Sequence, residues 1–268
     1  MKISVIIPTY KPKEYIWECL ESLARQTFSR EDFEVILVLN GCTDPWKQEI
    51  EKYIAAELVD VNVNFIHTEQ GGVSNARNIA LDNARGEYIT FIDDDDFVSP
   101  CYLQELYDNV NSSTVSLCYP YAFNDGEKDI QLSYTITDAY NHCVRNNKMT
   151  LSTKARKFFS GPCMKLIPKS FIQDRRFDVR FKNGEDSIFM FLISDKIKRV
   201  SFTSMEAVYY RRYRENSAIA AKRKFLYNIQ NELLKIFEYS RIFFSNTGKY
   251  SAEFYLSRVL AAIKSIFV

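Results

Sequence analysis

The chain has 268 residues, 46% hydrophobic and 26% charged, enough to bury a full core as one large α/β domain or two modest ones, and this composition excludes intrinsic disorder. Lys plus Arg (35) nearly cancels Asp plus Glu (34), which excludes the overall field that gathers nucleic acid or an anionic surface. Six scattered cysteines (Cys19, Cys42, Cys101, Cys118, Cys143 and Cys163) form no Cys-x-x-Cys pair and have no histidine at zinc-ligand spacing, so they read as reduced thiols of a cytosolic chain.

The apolar run at residues 3–7 is too short for a signal-peptide core and reads as a first buried strand. Tyr15, Ile16, Cys19, Leu20, Leu23 and Ala24 then recur at helical spacing and give one apolar face. A second strand at 33–39 follows. Asp44 as N-cap and Pro45 as first helical residue open a helix with Trp46, Ile50, Tyr53 and Ile54 as its buried stripe. A third strand at 61–66 leads to a helix that opens near Gly72, carries Val73, Ala76, Ala80 and Ala84, and stops before Gly86. Strands at 88–92 and 115–118 complete a βαβ alternation over residues 1–120, the pattern of a mostly parallel sheet flanked by helices.

Residues 121–160 have weaker periodicity and many polar residues, and read as an excursion with one helix near 138–145. A second ordered block follows, with a strand at 163–167, a helix from 185 to about 195, and strands near 199–203 and 207–214. From about residue 217 the pattern is helical, with Phe225, Ile229, Leu233 and Phe237 on one face and later Phe254, Leu256, Leu260, Ile263 and Phe267. No run reaches the roughly 18 apolar residues of a membrane span.

Asp93, Asp94, Asp95 and Asp96 emerge where the fourth strand ends, and open α/β sheets bind ligands at the carboxyl ends of their strands. Positions two apart on an extended chain point the same way, so Asp93 and Asp95 converge while Asp94 faces elsewhere. Paired carboxylates are hard ligands suited to Mg²⁺ or Mn²⁺, which fill the rest of their shell with phosphate and water. The competing reading is a solvated acidic turn that caps the next helix.

Five segments then fall in a telling order: Val5-Ile6-Ile7-Pro8-Thr9-Tyr10, Ser22-Leu23-x-x-Gln26-Thr27, Ser74-x-Ala76-Arg77-Asn78, Gly86-Glu87-Tyr88-Ile89-x-Phe91-Ile92-Asp93-x-Asp95-Asp96 and Gly184-Glu185-Asp186. With these motifs the chain resembles an inverting glycosyltransferase of family 2, which has the GT-A fold, over roughly residues 1 to 215. The resemblance implies an α/β nucleotide-diphospho-sugar transferase fold, a nucleotide-sugar donor that is often a UDP sugar, a bound Mn²⁺ or Mg²⁺, and inversion at the anomeric carbon.

Carried over by position, Pro8, Thr9 and Tyr10 hold the nucleoside, Asp93 and Asp95 the metal, and Asp93 and Asp94 the nucleotide sugar. Asp186 is the general base with Glu185 as second choice, although acidic residues in a first helical turn are also explained by the helix dipole. Arg77 either contacts the diphosphate directly, the favoured reading, or pairs with one of the aspartates. Arg211 or Arg214 is a further diphosphate ligand, with a solvated edge strand as the alternative. The family's two acidic residues after the second strand are absent, and Asn40-Gly41 stands there instead. Asn40 can accept from and donate to a base such as uracil, or can simply form a turn with Gly41.

Three parts are expected: a nucleotide-sugar half at 1–120, an acceptor and base half at 121–217, and a helical extension at 218–268. The excursion and the tail should shape the acceptor site, for a glycan or lipid-linked hydroxyl such as those of bacterial surface polysaccharide. Lys222, Arg223 and Lys224, then Arg241 to Phe244 and Ile263 to Phe267, read as basic amphipathic helices that touch a membrane's inner face, the core, or another subunit in a homo-oligomer. Two alternatives stand beside an active transferase. One is a catalytically silent nucleotide-sugar-binding scaffold. The other is a sugar nucleotidyltransferase, against which counts the lack of a Gly-rich phosphate loop after the first strand.

Overall fold

The apolar runs of the first half become parallel strands because each connecting helix folds its own apolar face back over the sheet. The structure, a computed structural model, describes residues 1–151, 154–214 and 225–267. Its first half comprises β1 (Ile3–Thr9), α1 (Tyr15–Ala24), β2 (Phe33–Asn40), α2 (Trp46–Glu57), β3 (Val63–Thr68), α3 (Val73–Asn83) and β4 (Tyr88–Phe91). The middle adds β5 (Phe97–Val98), α4 (Tyr102–Asp108), β6 (Thr114–Leu117), β7 (Tyr119–Asn124) and α5 (Thr135–Arg145). The remainder is β8 (Lys165–Pro168), α6 (Lys169–Ile172), α7 (Glu185–Leu192), β9 (Arg199–Phe202), β10 (Val208–Tyr213), α8 (Phe225–Ser245) and α9 (Ala252–Ile266).

Seven strands form one sheet in the order β3-β2-β1-β4-β8-β6-β9, with β8 antiparallel to both its neighbours. Every residue of β1 and β2 is buried, as an apolar strand covered on both faces must be. The chain winds outward from β1 to β2 and β3 on one side and to β4 on the other. The carboxyl ends of β1 and β4 therefore flank the crevice where such sheets take their ligands. Ala76 and Ala80 are fully buried, so α3 lies close on β1 and β2. At Gly86 a Cβ would come within 2.5 Å of the Ser4 amide nitrogen, which is why the motif before β4 needs a residue without a side chain.

The structure departs from the sequence reading in three places. α2 starts at Trp46: Pro45 already has helical φ and ψ, the Lys47 amide donates to the Thr43 carbonyl at 3.0 Å, and Asp44 caps nothing. The excursion begins with a strand, β7, which pairs in parallel with β10, while β5 pairs antiparallel on the other side. Pro120 inside β7 disguised it, since proline argues against an interior strand and its partner lies far along the chain. The tail is also sided differently from its simplest pattern. Tyr239, Ile242 and Phe254 are buried, and Phe191 of α7 meets Tyr239, Tyr250 and Phe254. Leu233, Phe237, Phe244, Leu256, Leu260 and Ile263 face outward. Lys222, Arg223 and Lys224 lie outside the described residues, as does the side chain of Phe225. Among the described residues no helix is long and apolar enough to cross a membrane.

Candidate active site

A cavity of about 710 Å³ opens at the crevice between β1 and β4. Pro8, Thr9 and Tyr10 enter it from the end of β1, Asn40 and Gly41 from β2, and Gly71 to Val73 from the start of α3. Asp93 to Asp96 follow β4, and Arg211 to Arg214 close the other wall from β10. Tyr10 is 54% exposed, so its ring is free to meet a flat ligand at the mouth. Gly41 has a φ of +66°, and a Cβ there would lie 2.8 Å from Gly71 Cα, so the two loops touch backbone to backbone beneath the cavity. Asn40 is buried and tied to this floor: its amide donates to the Thr9 carbonyl at 2.7 Å and its oxygen accepts from the Gly72 amide at 2.8 Å. Between the two readings of Asn40, the geometry favours the structural one.

The motifs before and after the aspartates are fasteners. Gln26 donates to the Ser22 and Ser99 carbonyls at 2.9 and 2.8 Å and accepts from the Leu103 amide at 2.9 Å, pinning the chain just beyond the acidic run. Asn78 exchanges a pair of hydrogen bonds with the backbone of Phe177 at 2.8 and 2.7 Å, and the Phe177 ring lies 5.3 Å from the Arg77 guanidinium.

Each aspartate has its own partner. Asp93 meets Arg77 at 3.1 Å and Asp95 meets Arg214 at 2.5 Å. Asp94 accepts from the Thr9 hydroxyl, and Asp96 accepts from the Tyr209 hydroxyl and the Arg212 amide, both at 2.8 Å. The expectation that Asp94 turns away does not hold, because it lines the same cavity as Asp93 and Asp95. Burial, opposed by the Thr9 bond and helped by the charges of Asp95 and Asp93, pushes Asp94 up to about 7. Burial and the charge of Asp93 likewise raise Asp95, against Arg214, and burial lifts Asp96 well above the carboxylate range.

This donor set fits a hard divalent cation. Among the described residues too few positive charges face the four carboxylates, since Arg212 is spent on Glu18 and Asp125. Among the described residues no group of three His, Cys, Asp or Glu is placed to hold a metal. One or two carboxylates with substrate phosphates completing the shell is the way Mg²⁺-like ions are commonly held.

Arg77 is 3% exposed and does not reach the cavity, so the expected diphosphate contact gives way to the alternative ion-pair role. It bridges Asp93 to Asp186, with Glu185 at 3.9 Å. Burial opposes its charge, yet these carboxylates outweigh burial and hold it above the usual guanidinium range. A second cavity, about 300 Å³, shares Asp93, Asp96 and Arg211 with the first and is lined by Asp186 at the start of α7. Burial raises Asp186 against the pull of Arg77. Glu185 does not line this cavity; burial and Asp186 push it up to about 7, and its Oε2 has no partner among the described residues. Arg211 stands where the cavities meet, its guanidinium 5.6 and 5.4 Å from the Tyr134 and Tyr213 rings.

Two residues of this site were not read from sequence. Arg212 ties the acidic run to α1 through Glu18 and donates to the Asp95 carbonyl at 3.0 Å. Lys165 is fully buried, close enough to feel the charge of Asp186; it donates to the Gly161 and Cys163 carbonyls at 2.7 and 2.5 Å, and burial lowers it to about 8. A lone lysine inside the apolar strand β8 was the signal that could have found it.

A carboxylate-lined crevice at the switch point of this sheet, beside a second cavity holding one basic carboxylate, defines the GT-A class of nucleotide-diphospho-sugar transferase folds. Comparison agrees. Residues 4–176, more than half the chain, match the family model Glycosyl transferase family 2. A curated relative from Staphylococcus aureus strain Mu50, the poly(ribitol-phosphate) beta-N-acetylglucosaminyltransferase TarS, is 30% identical over 223 residues, 82% of this chain and 37% of its own length. The crystal structure of S. aureus TarS 1-349 with UDP-GlcNAc superposes with a TM-score of 0.77 at 23% identity, over 100% of this chain and 73% of that one. A mannosyltransferase from Pyrobaculum calidifontis, solved with GDP-Man and Mn²⁺, gives 0.63 at 17% identity, covering 100% of this chain and 70% of that one. The chain belongs to glycosyl transferase family 2. It spans from 23% to 60% of the length of its more similar curated relatives, 37% in the case of TarS.

Proposed function

We propose that the chain is an inverting glycosyltransferase that moves a sugar from a nucleotide-diphosphate donor, a UDP sugar, to a hydroxyl of a glycan or lipid-linked acceptor in surface-polysaccharide synthesis. The observation that carries this is the pairing of the two cavities, one rimmed by Asp93 to Asp95 and Arg214, the other by Asp186. Family membership and the nucleotide sugars bound by the structural neighbours support the same reading.

In this reading Pro8, Thr9 and the exposed ring of Tyr10 receive the nucleoside, and Arg214 and Arg211 face the diphosphate. Asp93 and Asp95 would hold Mn²⁺ or Mg²⁺, which when bound stabilises negative charge on the departing diphosphate. Asp186 takes the proton of the acceptor hydroxyl as that oxygen forms its bond to the anomeric carbon. The bond from that carbon to the diphosphate breaks on the opposite face, the electron pair leaves with the diphosphate, and the configuration inverts. Burial makes Asp186 a stronger base than an exposed aspartate, and Arg77 holds it in place beside Asp93. Glu185, shut out of the cavity, is a neighbour and not the base in this scheme.

The proposed division keeps the nucleoside and metal in residues 1–120 and the base in 121–217, which also lends Arg211 and Arg214 to the donor crevice, with 218–268 as a helical extension that adds a wall beside the base cavity. The outward stripe of Leu233, Phe237, Leu256 and Leu260 supports peripheral contact at the inner face of a membrane, where a lipid-linked acceptor is held.

Thermal unfolding with UDP-GlcNAc and Mn²⁺ tests the donor assignment, since a ligand specific to the folded state raises Tm. The expected result is a metal-dependent rise that Asp95→Ala abolishes. Equal stabilisation of both proteins without metal would sink the role given to Asp95.

A further inference from the structure

A third cavity, about 480 Å³, opens from the base cavity and shares Tyr134, Ile136, Ser160 and Arg211 with it. Its walls come from the turn into α5, from the 3-10 helix Ala155–Ser160, and from α9. Arg156, Lys157, Arg211 and Arg258 line it, and among the described residues no carboxylate does. Their spare capacity is specific. Arg156 is more than nine-tenths buried; it donates to the Glu253 carbonyl at 2.6 Å and meets the Glu253 carboxylate at 3.4 Å, but its Nε has no partner among the described residues. Arg258 donates to the Arg156 carbonyl at 3.3 Å, and its Nε is likewise unpartnered there. Burial and the adjacent Arg156 charge pull Arg258 below the ordinary guanidinium range. Arg211 donates to the Tyr134 hydroxyl at 3.0 Å and carries the positive wall from this cavity to the edge of the donor crevice.

Of these cations only Arg156 meets a carboxylate among the described residues, that of Glu253, and a further negative group would relieve both the crowding of the two arginines and their orphaned Nε donors. Guanidinium groups with free N–H bonds suit the oxygens of a phosphate or carboxylate. The position says whose oxygens these are. The base cavity that holds Asp186 shares a wall with this cleft, so an acceptor with its hydroxyl at Asp186 can extend into it.

Building on the transferase reading above, we propose that this cleft is an acceptor subsite that grips an anionic group, a phosphodiester of the acceptor chain, within a unit or two of the hydroxyl that receives the sugar. The acceptor is thus a polyanion, and its charge, not its sugar edges, sets register in the site.

The test compares two synthetic probes of equal length, a phosphodiester-linked polyol oligomer and a neutral oligosaccharide, with inorganic phosphate as a third. Binding to the full chain is titrated with UDP-GlcNAc and Mn²⁺ present and again with both omitted. The expected result is at least about tenfold tighter binding of the phosphodiester oligomer than of either other probe, weakened by added salt. Lys157→Glu, at an exposed position that leaves folding intact, should lower that affinity several-fold, and Arg258→Gln about tenfold, with UDP-GlcNAc affinity unaltered in both. Equal binding of neutral and anionic oligomers overturns the inference, as does indifference to Lys157→Glu. Inorganic phosphate binding as tightly as the oligomer and displacing UDP-GlcNAc overturns it too, by placing the anion in the donor crevice. Donor binding in the same titration reports separately on the transferase reading, so loss of oligomer preference with donor binding intact refutes the subsite alone.

Discussion

The donor crevice and the basic cleft are electrostatic opposites within one site. The crevice crowds four carboxylates onto two partnered arginines, and burial raises three of those carboxylates. The cleft crowds four cations around an interior that no carboxylate lines among the described residues. Between them stands Arg211, stacked by two tyrosines, and Asp186 lies in the cavity that joins the two regions. The difference teaches that a near-neutral chain can build two neighbouring pockets of opposite charge, which in the proposed scheme would order donor and acceptor around Asp186.

The largest effect expected from breaking this arrangement is at the junction. Asp186→Asn should lower kcat about 10³-fold while leaving UDP-GlcNAc affinity within about twofold, because a general base acts in the transition state and not on the donor. Steady-state rates with separate donor titration decide it; a rate loss under tenfold would pass the role to Glu185.

Arg214→Ala probes the crevice's own balance. It removes the cation that meets Asp95 at 2.5 Å, so donor KM should rise about tenfold with a smaller change in kcat. An unchanged KM would leave Arg214 as a partner of Asp95 alone.

The smallest effect is a pH trend in the ligand-free protein. Asp94 and Glu185 hold their protons to about 7 in the fold and release them near 4 when unfolded, so the folded state binds more protons between those values. Stability then falls as pH rises from 4 to 7. Asp94→Asn should flatten this trend and raise Tm at pH 8 by about 4 °C. Thermal melts across pH, without metal, would show a flat wild-type profile if these carboxylates are not strained.

Much of the crevice was legible in sequence because its residues lie where apolar strands stop. Asp93 to Asp96 follow β4, Thr9 and Tyr10 end β1, and Asn40 ends β2, so strand periodicity alone sends them to one sheet edge. The same logic fails for β5, β7 and β10, whose pairings join residues about a hundred positions apart and whose patterns include Pro120. It also fails for the basic cleft, where Arg156 and Arg258 come from distant segments with no shared motif.

By itself, then, the order of residues determined the parallel half of the sheet, the acidic edge and the identity of the base candidates, since these depend on local periodicity and on which residue follows each strand. Only the tertiary structure decided their partners. It buried Arg77 between Asp93 and Asp186, occupied Asn40 with backbone, excluded Glu185 from the cavity and gathered four cations beside it. Charge pairing falls off over a few ångströms of space, and a distance of that kind is set by packing, not by separation along the chain.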